Sequence, residues 1–235
     1  MKFVMRAILI IAILLLGFLS WKSIQGPIEF QKESDKRDKA VIQRLVDIRT
    51  AQVAFRDKFK NYTASFDSLI NFIKTGRVAT LSRYGDLTEA QLEAGMTEEK
   101  AMRIIRGGNE SAIKAAGLWD SENNRPQLMR DSIFSPAIEV LYPNRTNFSA
   151  DSLKFVPYGH GATFQMATDT LATASGYTVN VFEAKTPYTT YLSDLNKKLL
   201  GQRIQEVLDR PGENNYPGMK VGSLTSANNN AGNWE

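Results

Sequence analysis

The residues best suited to covalent chemistry in this sequence are a serine and a lysine three positions apart. Ser111 and Lys114 stand in the segment S-A-I-K, and a serine at the start of a helix can lose its proton to a lysine one turn later. Lys74-Thr75-Gly76 and Ser121-Glu122-Asn123 are two further segments of the kind that accompany such a serine. By residue type alone, this set points to a serine nucleophile for acyl transfer.

The order and the spacing of these segments argue against that chemistry. In the penicillin-recognising enzymes K-T-G comes last and lies on a strand, whereas here it precedes S-A-I-K. Only six residues separate Lys114 from Ser121, too few for the helical domain that those enzymes place there. We therefore expect no catalytic residues. The alternative is a membrane-tethered periplasmic enzyme acting on cell-wall or glycan substrates.

The composition removes several other chemistries. The chain has 235 residues with no cysteine and one histidine, which excludes disulfides, thiol nucleophiles and thiolate metal sites. His160 lies between two glycines, so we predict a turn residue there. We expect no metal, no cofactor and no small-molecule substrate. The net charge is only +4, and residues 1–30 carry half of it, so we also expect no nucleic-acid partner.

Four short segments share the pattern Asp-Ser/Thr-apolar. Their hydroxyl residues are Ser68, Ser132, Ser152 and Thr170. The pattern resembles the O-glycosylation sequon of certain Gram-negative periplasms, which implies an exported domain if any site is used. The alternative is ordinary turn chemistry, in which Asp and Ser side chains bond nearby backbone groups before strands and helices.

An apolar run lies near the start of the sequence. Residues Phe3 to Trp21 span 19 positions and carry one charge, Arg6. As a helix they would cover about 28 Å, close to the hydrocarbon thickness of a bilayer. A cleaved signal peptide is the alternative, but no small-x-small site follows the run, and Pro27 does. We predict a single-pass inner-membrane anchor over residues 1–22, with a cytoplasmic N-terminus and a periplasmic main domain.

A charged helix is predicted after this anchor, from about residue 29 to residue 60. Its apolar residues recur at steps of 4, 3, 7 and 4, which places them on one helical face. The face comprises Val41, Leu45, Ile48, Phe55 and Phe59. It can pack on the chain's own domain or pair with a partner helix, because the same spacing serves either purpose.

In the rest of the chain, the predicted secondary structure changes from helical to β-rich. Ser65, Thr88 and Thr97 precede short helical segments, and residues 76–125 are predicted as short helices and loops. From about residue 130, short β-rich runs separated by glycines lead to a helix over 190–208 and a polar tail at 226–235. We predict an α+β fold with a small antiparallel sheet and a C-terminal helix. The predicted divisions are an anchor at 1–22, a hinge and amphipathic helix at 23–60, and a periplasmic domain at 61–235.

Val41 to Ile73 resembles the anchor-proximal helix of pseudopilins. In those proteins a membrane helix continues into an amphipathic helix, followed by an aromatic turn (here Tyr62) and a short helix (here from Ser65). The likeness does not extend to their processing site, because Gly17-Phe18 lies late in the apolar run and no Glu lies between Phe3 and Trp21. The resemblance implies a structural or assembly subunit.

The exported part also resembles a group of uncharacterised single-pass envelope proteins of Gram-negative bacteria. The residues that carry this likeness are Val181 to Lys185 with Pro187, Tyr216 to Leu224, and Ala227 to Glu235. This second resemblance supports the periplasmic compartment and the single-pass topology. We therefore predict a non-enzymatic, membrane-anchored periplasmic component of an envelope or secretion complex. Its expected partners are the inner membrane, other subunits of that complex and further copies of itself.

Overall fold

One long helix dominates the computed structural model, which describes residues 2–143, 145, 148–172, 176–211 and 215–235. Helix α1 spans Lys2–Phe59 and its 58 residues cover about 87 Å. It is long and apolar enough near its N-terminus to cross a membrane, with a mean hydropathy of 1.7 over the most apolar 18 residues. The predicted anchor and the predicted amphipathic helix are therefore parts of one element.

The hinge predicted after the anchor does not interrupt this helix. α1 runs through Gly26 and Pro27 without a break in its helical assignment. A proline inside a helix removes one backbone donor and bends the helix, but hydrogen bonds on either side can keep it continuous. The prediction of a hinge is therefore wrong, because Pro27 lies within a continuous helix.

Shorter elements follow α1. In chain order they are α2 (Phe66–Thr75), β1 (Arg77–Tyr84), α3 (Glu89–Glu93), α4 (Glu98–Arg106), α5 (Glu110–Ala115), β2 (Trp119–Asp120), β3 (Arg125–Pro126), β4 (Met129–Pro136), α6 (Ala137–Leu141), a 3₁₀ helix (Ala150–Lys154), β5 (Gln165–Ala172), β6 (Thr178–Pro187), α7 (Tyr188–Tyr191), α8 (Lys197–Leu208) and β7 (Gly218–Gly222). The predicted α+β class with small antiparallel sheets is confirmed. The predicted C-terminal helix is α8, but strand β7 follows it.

The chain divides into two compact units. The first unit combines Met1–Ile73 with Arg145–Glu235, and the second is Lys74–Asn144. The domain predicted over residues 61–235 is therefore divided, because residues 74–144 form a unit of their own between two segments that fold with α1.

The first unit packs α1 against a three-stranded antiparallel sheet in the order β5-β6-β7. α1 contacts β6, β7 and the 3₁₀ helix. Phe182 and Ala184 on β6 and Val221 on β7 have no exposed surface. Alternate residues of β6 thus meet the apolar face of α1, and this burial is the main stabilising contribution to the unit.

The second unit consists of a two-stranded ribbon and a small helical cluster. β1 and β4 pair antiparallel over eight residues, from Arg77 opposite Pro136 to Tyr84 opposite Met129. Helix α4 contributes Ala101 and helix α5 contributes Ile113 to a core that also contains Leu118 and Leu128. Strand β1 lies in a region that we predicted as short helices and loops, so that prediction is wrong here. The sequence does not indicate the strand, because its apolar alternation is weak and its pairing partner β4 comes about fifty residues later.

Candidate interaction surface

The described side chains in the N-terminal part of α1 are not covered by other parts of the chain. All described side chains from Phe3 to Trp21 are exposed, including Phe3 at 84% and Trp21 at 68%. An apolar surface of this extent needs a lipid or protein environment, since soluble monomers rarely expose one. By length and composition, this part of α1 can span a membrane.

The predicted packing face of α1 divides into a buried part and a more exposed end. Val41, Leu45 and Ile48 have no exposed surface, Phe55 is half-buried, and Phe59 is 52% exposed. The Phe55 and Phe59 rings lie 4.5 Å apart, and each also contacts the ring of Phe72 from α2. The first three residues therefore pack on the chain's own domain, while Phe59 keeps an accessible ring.

The buried stripe of α1 continues toward the apolar N-terminal segment with polar residues. Ser34, Arg37 and Asp38 are at most 8% exposed. The Arg37 guanidinium contacts both carboxylate oxygens of Asp194, with Nη2 2.8 Å from Oδ2. Arg37 also donates to the backbone carbonyl of Tyr191 at 2.8 Å and to Glu33 at 3.1 Å. These charge-assisted bonds attach the helix to the segment that follows α7.

Asp38 makes a second connection beside the first. Its Oδ1 accepts a hydrogen bond from the Tyr191 hydroxyl at 2.8 Å, and its Oδ2 accepts one from Arg203 Nη2 at 2.6 Å. The Arg203 guanidinium also lies 4.2 Å from the centre of the Tyr188 ring. We call Glu33, Arg37, Asp38, Tyr191, Asp194 and Arg203 the Arg37–Asp38 cluster.

Electrostatics reinforce this cluster. The hydrogen bond from Arg37 is the main cause that lowers the pKa of Asp194, and it also lowers the pKa of Glu33. Burial, assisted by the Asp38 charge, raises the pKa of the Tyr191 hydroxyl. Tyr191 therefore stays a neutral donor to Asp38 at physiological pH, while the carboxylates of Asp194 and Glu33 stay ionised.

Sequence reasoning missed this cluster, although a signal was present. The positions 34, 38, 41, 45, 48 and 52 alternate steps of four and three, so they mark one stripe. Restricting the face to apolar residues excluded Ser34 and Asp38. The partners Tyr191, Asp194 and Arg203 lie more than 150 residues away, and no local pattern indicates them.

The C-terminal tail is ordered against β7 and α1. Gly222 N–H donates to the Ala231 carbonyl at 3.0 Å, and Lys220 N–H donates to Asn233 Oδ1 at 3.0 Å. Glu235 accepts a hydrogen bond from Arg49 of α1 at 2.6 Å, which lowers the pKa of that carboxyl. The predicted polar loop therefore covers the edge of the sheet.

The four candidate glycosylation residues differ in accessibility. Ser68 is exposed at the start of α2, and Thr170 is exposed on β5, where its hydroxyl lies 3.1 Å from Asn180 Oδ1. Ser152 is half-buried in the 3₁₀ helix and donates to the Ser149 carbonyl at 2.7 Å. Ser132 lies on β4, and its side chain falls outside the described part of the structure.

The residues that resemble a serine nucleophile site are placed as follows. Ser111 lies in the first turn of α5, and Lys114 of the same helix is ion-paired with Glu110 and lies 4.9 Å from the Trp119 ring. Lys74 and Thr75 end α2 and are not on a strand. His160 is in a turn with a φ of 51°, as predicted. Among the described residues, no group of three or more His, Asp or Glu side chains is placed to hold a metal ion.

The chain matches no protein-family model, no curated protein and no solved structure.

Proposed function

We propose that this chain is a non-enzymatic, membrane-anchored structural or assembly subunit of a bacterial envelope complex, similar in role to a pseudopilin. The anchor crosses the inner membrane with the N-terminus in the cytoplasm, and the rest of the chain lies in the periplasm. Its partners are other subunits of the complex and further copies of the same chain.

One observation carries the proposal. A single uninterrupted helix joins an apolar segment, exposed on all sides, to a face that is buried in the sheet of the first unit. Packing at Leu45 and ion pairs at Arg37 both attach the helix to its own domain. A helix attached in this way serves as a rigid support between the membrane and the folded domain, which is what an anchored assembly subunit needs.

The same geometry accounts for where partners would bind. Val41, Leu45 and Ile48 are used by the domain itself, so they are not available to a partner helix. The exposed large apolar side chains described on α1 are those of the anchor, Ile24 and Ile28 just after it, and Phe59 at the other end. Partner contacts are therefore expected within the membrane and around the end of α1.

The experiment is purification of the full-length protein from native membranes in mild detergent, with mass spectrometry of the proteins that accompany it. We expect stoichiometric recovery of other envelope proteins. A chain whose residues 3–21 are replaced by an unrelated apolar helix of equal length is the matched control. It should remain in the membrane but lose the partners that contact the anchor.

Topology needs a separate measurement. A C-terminal alkaline phosphatase fusion should be active and a C-terminal green fluorescent protein fusion dark, because the first reporter matures only outside the cytoplasm and the second folds inside. Recovery of the chain alone, as a monomer, would contradict the assembly role and favour the tethered-enzyme alternative. The opposite reporter pattern would contradict the periplasmic placement.

A further inference from the structure

The second unit contains a groove with an unusual concentration of arginine. Its volume is about 600 Å³. It lies between helix α4 and the ribbon formed by β1 and β4. We call it the arginine groove, and its lining residues are Arg83, Glu98, Glu99, Met102, Arg103, Arg106 and Arg130.

Two of the four arginines are neutralised. Arg130 is nearly buried, with 7% of its side chain exposed, and its Nε donates to Glu98 at 2.8 Å. Its Nη1 also donates to the backbone carbonyls of Tyr84 and Gly85 at 2.9 and 3.0 Å. Arg103 pairs with Glu99 at 3.2 Å on the surface of α4. Arg130 is therefore a rigid part of the groove wall.

The other two arginines are exposed and form no ion pair within the described part of the chain. Arg83 lies directly opposite Arg130 in the antiparallel ladder, so the two side chains share one face of the ribbon. Like charges in directly opposite positions destabilise a strand pair. Arg106 ends α4 on the facing side. The six charged side chains that line the groove, four arginines and two glutamates, therefore carry a net charge of +2.

The helix dipole explains the positions of only two of the four arginines in the groove. Arg103 and Arg106 lie in the last turn of α4, where the helix dipole favours cations. Arg83 and Arg130 lie on strands, where no such dipole acts. Glu98 and Asp86 both pair with Arg130, at 2.8 and 3.5 Å, whereas Arg83 has no ion-pair partner of its own among the described residues. An anion in the groove would supply negative charge next to Arg83 and Arg106.

We propose that the arginine groove binds a small multivalent oxyanion, either a phosphate ester or a dicarboxylate. Guanidinium groups bind both kinds of group through paired N–H donors. Arg83 and Arg106 would hold the anion from opposite sides, while Arg130 supplies fixed positive charge behind it. The half-buried Met102 side chain provides an apolar surface for the carbon part of the ligand. This binding does not depend on the proposed assembly role.

The test is calorimetric titration of the full-length protein in mild detergent and low-salt buffer, with inorganic phosphate and succinate as probes. At least one probe should bind saturably with one site per chain. Arg83→Gln and Arg106→Gln should each weaken that binding about tenfold, since each removes charge-assisted hydrogen bonds to the anion. Binding of phosphate alone would identify a phosphate ester site, and binding of succinate alone a dicarboxylate site.

Lys100→Gln is the matched control, because Lys100 is exposed on the same helix but does not line the groove. It removes one positive charge and should leave the affinity unchanged. Met102→Glu should abolish binding by placing a carboxylate inside the groove, and thermal unfolding of each variant checks that the fold is kept. Saturable binding of neither probe would overturn the proposal, and so would an equal loss of affinity in Lys100→Gln.

Discussion

The guanidinium of Arg37 contacts both carboxylate oxygens of Asp194, a residue 157 positions later in the chain. This bond attaches the part of α1 just beyond the apolar segment to the segment between α7 and α8. Arg37 is 8% exposed, so its charge depends on this carboxylate and on Glu33 for compensation. Removal of either partner should therefore weaken the attachment of α1.

Replacing Arg37 with Gln should lower the free energy of unfolding by about 1–3 kcal/mol, because several hydrogen bonds to a charged group are lost. Asp194→Asn should cost less, since 47% of the Asp194 side chain is exposed. Urea unfolding of the two single variants and the double variant gives the coupling between them. The exposed pair Arg103–Glu99 is the control, and its coupling should stay below about 0.5 kcal/mol. Equal coupling for both pairs would contradict the assigned role of Arg37.

Acid should weaken the same connection. The pKa values of Asp194 and Glu33 are lowered in the folded protein, chiefly by hydrogen bonds from Arg37. A lowered folded pKa means that the contribution to stability is complete above the ordinary carboxyl pKa of about 4 and is lost as the pH falls through the folded value. Unfolding free energy should therefore decline below about pH 4. In Asp194→Asn the decline should be shallower, and parallel curves for the two proteins would contradict this origin.

Leu45 and Phe59 lie on the same predicted face but should respond differently to truncation. Leu45→Ala should cost about 3 kcal/mol, because it leaves a cavity at a fully buried position. Phe59→Ala should cost about 1 kcal/mol, because the ring is 52% exposed and loses mainly aromatic contacts.

Leu45→Asp and Phe55→Asp should disrupt folding or assembly, measured as lower abundance and a smaller complex. Normal abundance and normal complex size in both variants would contradict this.

The parts of the fold that the sequence predicts are those with local causes. Thr88 and Thr97 cap α3 and α4 through hydrogen bonds to the backbone three residues later, as their types and spacing indicate. At the other end of α4, Gly107 and Gly108 follow Arg106, and Gly108 has the left-handed backbone, at a φ of 68°, that commonly ends helices. Val41 and Leu45 are buried because one turn of helix places them on a single face.

The features of the fold that cannot be predicted from the local sequence depend on residues far away in the chain. Strand β7 lies between a helix and a polar tail, and it becomes a strand because β6 pairs with it about 35 residues away. Lys220 on β7 is only 9% exposed, which its residue type does not suggest. Nothing in the residues next to Arg83 indicates a binding site. Arg83 lies opposite Arg130 because of the register in which β1 pairs with β4, and the sequence does not reveal that register.

Glycosylation should follow accessibility. If the domain is exported in a host with O-glycosylation of this sequon, Ser68 and Thr170 should be modified and Ser152 should not, because the Ser152 hydroxyl is half-buried and donates to a backbone carbonyl. Intact-mass measurement of Ser68→Ala and Thr170→Val should show the loss of one glycan each. Ser152→Ala is the matched control with no expected change. A glycan found on Ser152, or none on any of these residues, would contradict the accessibility argument.

Two glycine-to-alanine substitutions should have opposite effects on stability. A Cβ at Gly232 would overlap the ring of Trp234, so Gly232→Ala must displace that ring or the tail backbone. Because Gly232 pairs with Val221 at the edge of the sheet, we expect lower stability and a red-shifted Trp234 emission, identified by difference from Trp234→Phe. Gly201 lies in the interior of α8 with open space around its Cβ position. Gly201→Ala should therefore raise the unfolding free energy by about 0.5–1 kcal/mol through helix propensity. If Gly232→Ala left both stability and emission unchanged, the tail would not be held against β7 by this contact.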